Sequence, residues 1–153
     1  MATEGRVVGV FGKPMRDYVD TAELPWFALT LVLTFSYVGS FWLEVSYLTL
    51  MAPLALILQV VTAVVAAYLV GVRKGFTWQQ VACTCALVGF GGGLASAVLA
   101  LVRFWHYWLA FNVLVEPFWS ALLGAFVGVL TVGFFQLPKL AQYFRDEETP
   151  EAR

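Results

Sequence analysis

Four stretches of this chain, 24–43, 45–72, 75–102 and 117–138, contain no Lys, Arg, Asp or Glu. Each reaches the roughly 20 apolar residues that cross a bilayer's hydrocarbon core as a helix. A soluble fold of 153 residues has a large surface to cover with polar groups, and this chain is only 12% charged against 61% hydrophobic. A soluble domain carries about 25% charged residues. Sixteen of the nineteen charges lie before Leu24, in the Arg73-Lys74 pair, or after Leu137, so the lack of charge marks out segments. The expected fold is an all-α integral membrane protein: four transmembrane helices in a compact bundle, at 25–43, 47–72, 77–102 and 117–136, with an aromatic interfacial segment between helices 3 and 4.

The ends of the spans are read from local chemistry. Asp20 or Thr21 would cap the first helix, with Glu23 at the positive end of its dipole and Pro25 in its first turn. Pro53 would bend the second helix near its start. Pro117 would open the fourth, and Pro138-Lys139 would end it. Residues 1–24 form an N-terminal segment in which Phe11, Met15, Tyr18 and Val19 make one apolar face suited to a membrane surface. Residues 137–153 form a charged tail. The first apolar run, 7–11, is too short for a signal peptide and is followed by charges, so the first span is expected to be retained.

Orientation follows from Lys and Arg in the short connections. Four spans put Arg6, Lys13, Arg16, Arg73, Lys74, Lys139, Arg145 and Arg153 on one side and Arg103 alone on the other. The expectation is a multi-pass protein of the cell membrane with both termini cytoplasmic. A five-span alternative breaks the third run at Gly91-Gly92-Gly93 and makes 94–115 a helix of its own. It would place Arg103 near mid-helix, at about 2.5–3.5 kcal/mol on insertion scales. In the four-span reading the cluster Phe104-Trp105-His106-Tyr107-Trp108 lies at the membrane–water boundary, where Trp and Tyr rings favour one wet edge.

Two sets of residues are candidates for function. Gly89, Gly93 and Ala97 on the third helix, with Gly124 and Gly128 on the fourth, include two G-x-x-x-G pairs. Small residues let helix backbones approach closely in lipid, which offers no hydrophobic drive for association. They serve either packing within the chain or a homo-oligomer or partner interface. Glu44, Arg103, His106 and Glu116 are the ionisable groups near the membrane interior. All four are expected toward the outer face, as anchors and ion pairs such as Arg103 with Glu44 or Glu116, or as a proton or ion path. A path would need deeper polar residues, of which Gln59, Gln79, Gln80 and Thr84 are the candidates.

Enzyme motifs are absent: there is no H-E-x-x-H, G-x-S-x-G or G-K-[ST] in the chain. Cys83 and Cys85 sit about 200° apart on a helix and cannot share a metal ion, so no catalytic residue, metal or cofactor is expected. Net charge is −1, giving no pull toward nucleic acid.

The run Gly12-Lys13-Pro14-Met15-Arg16-Asp17-Tyr18 before the first span, and Arg73-Lys74-Gly75-Phe76-Thr77-Trp78-Gln79-Gln80 between the second and third, resemble segments of bacterial members of the Yip family of small polytopic membrane proteins. That family usually has five spans, whereas charge placement here gives four. The resemblance implies a membrane-embedded, non-enzymatic protein that works through partners, and it carries over no catalytic residues. The expected role is a helper or scaffold subunit of a membrane complex. The alternative is a small oligomeric channel or transporter that uses the Glu44, Arg103, His106 and Glu116 set.

Overall fold

The computed structural model describes residues 10–43 and 46–147, the last eleven of these by backbone alone. Among them, four helices are long and apolar enough to cross a membrane: Met15–Trp42, Tyr47–Arg73, Trp78–Phe104 and Tyr107–Gln136. They pack as a bundle with no strand beyond an isolated Val10–Lys13 bridge. The protein is a multi-pass, all-α membrane protein. Glu44 and the residues beyond Glu147 lie outside the described part.

The first helix, α1 (Met15–Gly39), tightens into a 3-10 turn at Ser40–Trp42. It starts ten residues before the expected Pro25, so Pro25 lies inside the helix and the expected caps at Asp20 and Thr21 are not used. The residue before α1 is Pro14, in an extended conformation. Proline inside a membrane helix is tolerated where neighbouring groups satisfy the freed carbonyl. Of the apolar face expected for a surface segment, Met15, Tyr18 and Val19 belong instead to the first turns of α1, and Phe11 lies in the turn before it. Tyr18 is buried, while Met15 and Val19 are exposed.

The second helix, α2 (Ala52–Ala67), has a wider π-type turn at each end, Tyr47–Met51 and Tyr68–Arg73. Pro53 follows the first of these, where the Ala52 N–H donates to the Tyr47 carbonyl. A wide turn relieves the clash between a proline ring and the carbonyl four residues earlier.

The third helix, α3 (Trp78–Phe104), begins with a capping box. Thr77 Oγ1 accepts from the Gln80 N–H, and Gln80 Oε1 accepts from the Thr77 N–H at 3.1 Å. The helix runs unbroken through Gly91-Gly92-Gly93, which excludes the five-helix alternative. Successive helical residues turn by about 100°, so the three glycines face three directions. A methyl group on Gly91 would strike Trp26 of α1. One on Gly92 would strike Leu29 of α1 and approach Gln59 of α2, and one on Gly93 would strike Ser120 of the fourth helix. The glycines are the places where the neighbours of α3 come closest, and α3 is the central helix.

Trp105 ends α3 in the left-handed region (φ 45°), its N–H donating to the Leu101 carbonyl at 2.9 Å. Only Trp105 and His106 separate α3 from α4 (Tyr107–Glu147). The stretch 104–115, expected as a separate interfacial segment, is therefore mostly the beginning of α4. Glu116-Pro117 has the chemistry of a helix start, but α4 passes through it, and it also passes through Pro138-Lys139, expected as its end, to Glu147. So short a link forces an antiparallel hairpin. Each helix runs opposite to the next. Tyr18 packs on Phe76 at one end of the bundle, with ring centroids 6.4 Å apart. At the other end Tyr47 packs on Phe104 and Trp108 at 5.4 and 5.6 Å. Two apolar clusters fill the core: Ala66, Ala67, Val70, Val81, Val88 and Val132 toward the first end, and Leu29, Leu33, Tyr37, Met51, Ala100 and Leu109 toward the second.

Candidate functional site: a polar cleft inside the bundle

Beside the second apolar cluster, to which Tyr37 itself belongs, all four helices contribute polar side chains to one place. On α4, Asn112, Glu116 and Ser120 recur every fourth residue, and the same stripe continues as Gly124 and Gly128. Its polar part meets Gln59 of α2, Ser96 of α3 and Tyr37 of α1. Ser120 Oγ donates to Gln59 Oε1 at 2.9 Å, with both residues buried. Ser96 lies beside both Glu116 and Tyr37. A cleft of about 500 Å³ opens at this level between α2 and α4, lined by Tyr47, Ala55, Gln59, Asn112, Glu116 and Ser120 among others.

Depth follows from helix geometry. Glu116 is nine residues beyond Tyr107, about 14 Å along the axis, and Ser96 is eight residues before Phe104, about 12 Å. A hydrocarbon layer about 30 Å thick centred on these spans includes both. An unpaired carboxylate there costs about 2.5–3.5 kcal/mol on insertion scales, and intramembrane ionisable groups are ordinarily paired. Glu116 has no such pairing among the described residues. Its Oε2 is buried without a hydrogen-bond partner, as are the hydroxyls of Tyr37 and Ser96 beside it.

Of the expected set of four ionisable residues, Glu44 lies outside the described residues, and Arg103, His106 and Glu116 are not brought together. Arg103 sits in the last turn of α3, where its Nε donates to Ser40 Oγ at 3.1 Å and an Nη to the Ser40 carbonyl at 2.9 Å. Its guanidinium also lies over the Phe41 and Phe104 rings at 4.6 and 5.0 Å. The expected Arg103–Glu116 pair does not form, because Glu116 is over two turns deeper. His106 is exposed in the α3–α4 link and stacks on Trp108 at 6.4 Å. Glu116 is thus at depth rather than at the helix end. Of the deeper polar candidates only Gln59 lines the cleft with it. Gln80 caps α3, Thr84 Oγ1 donates to the Gln80 carbonyl at 3.0 Å, and Gln79 lies in the first turn of α3 at the opposite end.

The small residues seat α4 on α3. A Cβ on Gly89 would collide with the Ser120 carbonyl, and one on Gly93 would lie 2.6 Å from Ser120 Oγ. One on Gly124 would collide with the Cys85 carbonyl, and one on Gly128 would lie 2.8 Å from Cys85 Sγ. Ala97 is fully buried on α3. Both G-x-x-x-G pairs face each other within one chain. Cys85 is buried with its Sγ 3.7 Å from the Ala63 carbonyl, and Cys83 is half-buried. Among the described residues no three His, Cys, Asp or Glu side chains gather where a metal ion would bind.

At the opposite end, the segment before and at the start of α1 lies against residues 73–80. Gln80 Nε2 donates to the Phe11 carbonyl at 3.0 Å, and Lys13 Nζ stands 3.4 Å above the Phe76 ring. The Tyr18 hydroxyl donates to the Val10 carbonyl. This ties the turn before α1 to the start of α3.

Sequence reading missed Tyr37, Tyr47, Ser96, Asn112 and Ser120 as site residues. The signal was the four-residue recurrence of Asn112, Glu116 and Ser120, hidden once the last helix was taken to begin at Pro117. Compared with known protein-family models, curated proteins and solved structures, the chain finds no match.

Proposed function

We propose that this protein is a non-enzymatic helper or scaffold subunit of a membrane complex, and that it acts through the cleft between α2 and α4. The observation that supports this reading is the half-buried Glu116 in a cleft open on the side of the bundle, its Oε2 buried without a hydrogen-bond partner. The small-residue faces of α3 and α4 are spent on each other, which favours the cleft over those faces as the contact with another protein. On the side away from Arg103, the apolar cluster of Ala66, Ala67, Val70, Val81, Val88 and Val132 closes off the polar groups. Among the described residues no polar route crosses the bundle, which supports binding over transport.

The protein is proposed to sit in the cell membrane with both termini cytoplasmic, since Lys13, Arg16, Arg73 and Lys74 gather at one end and Arg103 stands at the other. The second reading, a small oligomeric channel or transporter, is favoured by the depth of Glu116.

Purification in mild detergent tests the first reading. A helper carries a membrane partner in fixed stoichiometry, and a lone monomer contradicts the proposal. Proton or ion flux in liposomes that is lost in Glu116→Gln would establish the second reading instead.

A further inference from the structure

The cleft and the buried groups next to it leave three polar atoms without partners. Tyr37 is 2% exposed and Ser96 is 1% exposed, and both hydroxyls stand unsatisfied beside Glu116 Oε2, itself unsatisfied. Gln59 Oε1 accepts one hydrogen bond, from Ser120, and has a second lone pair to offer. Both hydroxyls can donate as well as accept, so what the site lacks is positive charge: Glu116 is the one acidic side chain of the lining, and no basic side chain lines the cleft beside it. The complement is a positively charged group with several N–H donors.

The basic side chains described in this chain lie elsewhere: Arg103 on Ser40, Lys13 over Phe76, Arg16 3.6 Å from Asp20, and Arg73 and Lys74 exposed at the far end of the bundle. None of them neutralises Glu116. The cleft's rim carries Leu56 and Trp119, which are 51% and 68% exposed on the outside of the bundle at hydrocarbon depth. An occupant therefore enters from the bilayer. Between rim and carboxyl the lining is mostly apolar, which suits the methylene stem of a long basic side chain. About 500 Å³ accommodates one such side chain with room for its helix to approach.

We propose that the α2–α4 cleft receives the Lys or Arg side chain of a partner transmembrane helix, with its cationic head paired to Glu116. Intramembrane charges pair with one another because neither can be left unpaired in lipid, and the pair is tenable here because Gln59, Ser96 and Tyr37 supply the remaining hydrogen bonds. The proposal rests on the helper reading and adds the chemistry of the partner.

The test uses the full chain in phosphatidylcholine vesicles and measures energy transfer to synthetic transmembrane peptides. One Leu-rich peptide carries a single Lys about nine residues from one end, to match the depth of Glu116. The other has Leu in that place. The Lys peptide is expected to associate about tenfold more tightly than the Leu peptide. Glu116→Gln is expected to abolish the difference, and Glu116→Asp to keep most of it. Equal binding of the two peptides to the wild type would overturn the proposal and leave the helper reading standing. Binding of neither peptide would overturn the proposal and remove the cleft's support for that reading. Saturable binding of dodecylammonium with no peptide binding would assign the cleft to a lipid-soluble amine and overturn the proposal.

Discussion

Gln59 and Ser120 hold α2 and α4 together by a buried hydrogen bond of 2.9 Å, and Gly93 leaves the space that allows it. With any side chain at position 93, Ser120 could not stand where it does. Close backbone approach and polar pairing, the two devices by which helices associate in lipid, act here at one point.

Removing one partner of that bond orphans the other. Ser120→Ala is expected to destabilise the protein by about 1–2 kcal/mol. The double variant Ser120→Ala with Gln59→Leu is expected to cost less than the sum of the single changes, because no buried polar group is left unpaired. Unfolding in mixed micelles gives the cycle directly. Strict additivity would mean that the bond contributes nothing.

Glycines in contact and glycines in open space should behave oppositely. Gly89 meets backbone of α4, which cannot swing away as a side chain tip can. Gly89→Ala is expected to cost about 1–3 kcal/mol. Gly133 has nothing within 4 Å of an added methyl. Gly133→Ala is expected to be neutral or to stabilise by up to about 1 kcal/mol through helix propensity. Thermal unfolding of the two variants in one detergent checks the contrast.

Arg103 uses its planar fork on both oxygens of Ser40 and stacks on two rings. Arg103→Lys keeps the charge but loses that geometry, and is expected to destabilise by about 1–2 kcal/mol. An unchanged midpoint for Arg103→Lys would show that only the charge matters there.

Gln80 serves both the cap of α3 and the tether to Phe11. Gln80→Ala is expected to lower stability by about 1–2 kcal/mol. It should also raise hydrogen exchange in residues 10–14 before the rest of the bundle loosens. Thr77→Ala breaks the cap alone and should leave exchange in 10–14 nearly unchanged.

The fold was legible where the physics is additive over long windows. Uncharged length marked the four helices, and Arg103 marked the break between the third and fourth. Helix ends were not legible, because proline was read as a boundary. Pro25, Pro117 and Pro138 lie inside helices that continue through them. That one misreading moved Glu116 from a helix end to the interior, and it hid the register of Asn112, Glu116 and Ser120. The glycine run was legible as unusual, but its meaning depends on three neighbours that only the folded chain brings together. Tyr37 and Ser96 carry no local pattern at all; they join the site because α1 and α3 both border it.

An even number of spans, with both ends on the cytoplasmic side, underlies the orientation proposed here. Site-directed cysteine labelling in intact cells tests it most directly. Cys83 and Cys85 are first replaced by Ser, and single cysteines are then placed at Tyr107 and at Pro150. The account predicts that a membrane-impermeant maleimide labels position 107 in intact cells and position 150 only after lysis. Labelling of position 150 in intact cells would contradict it.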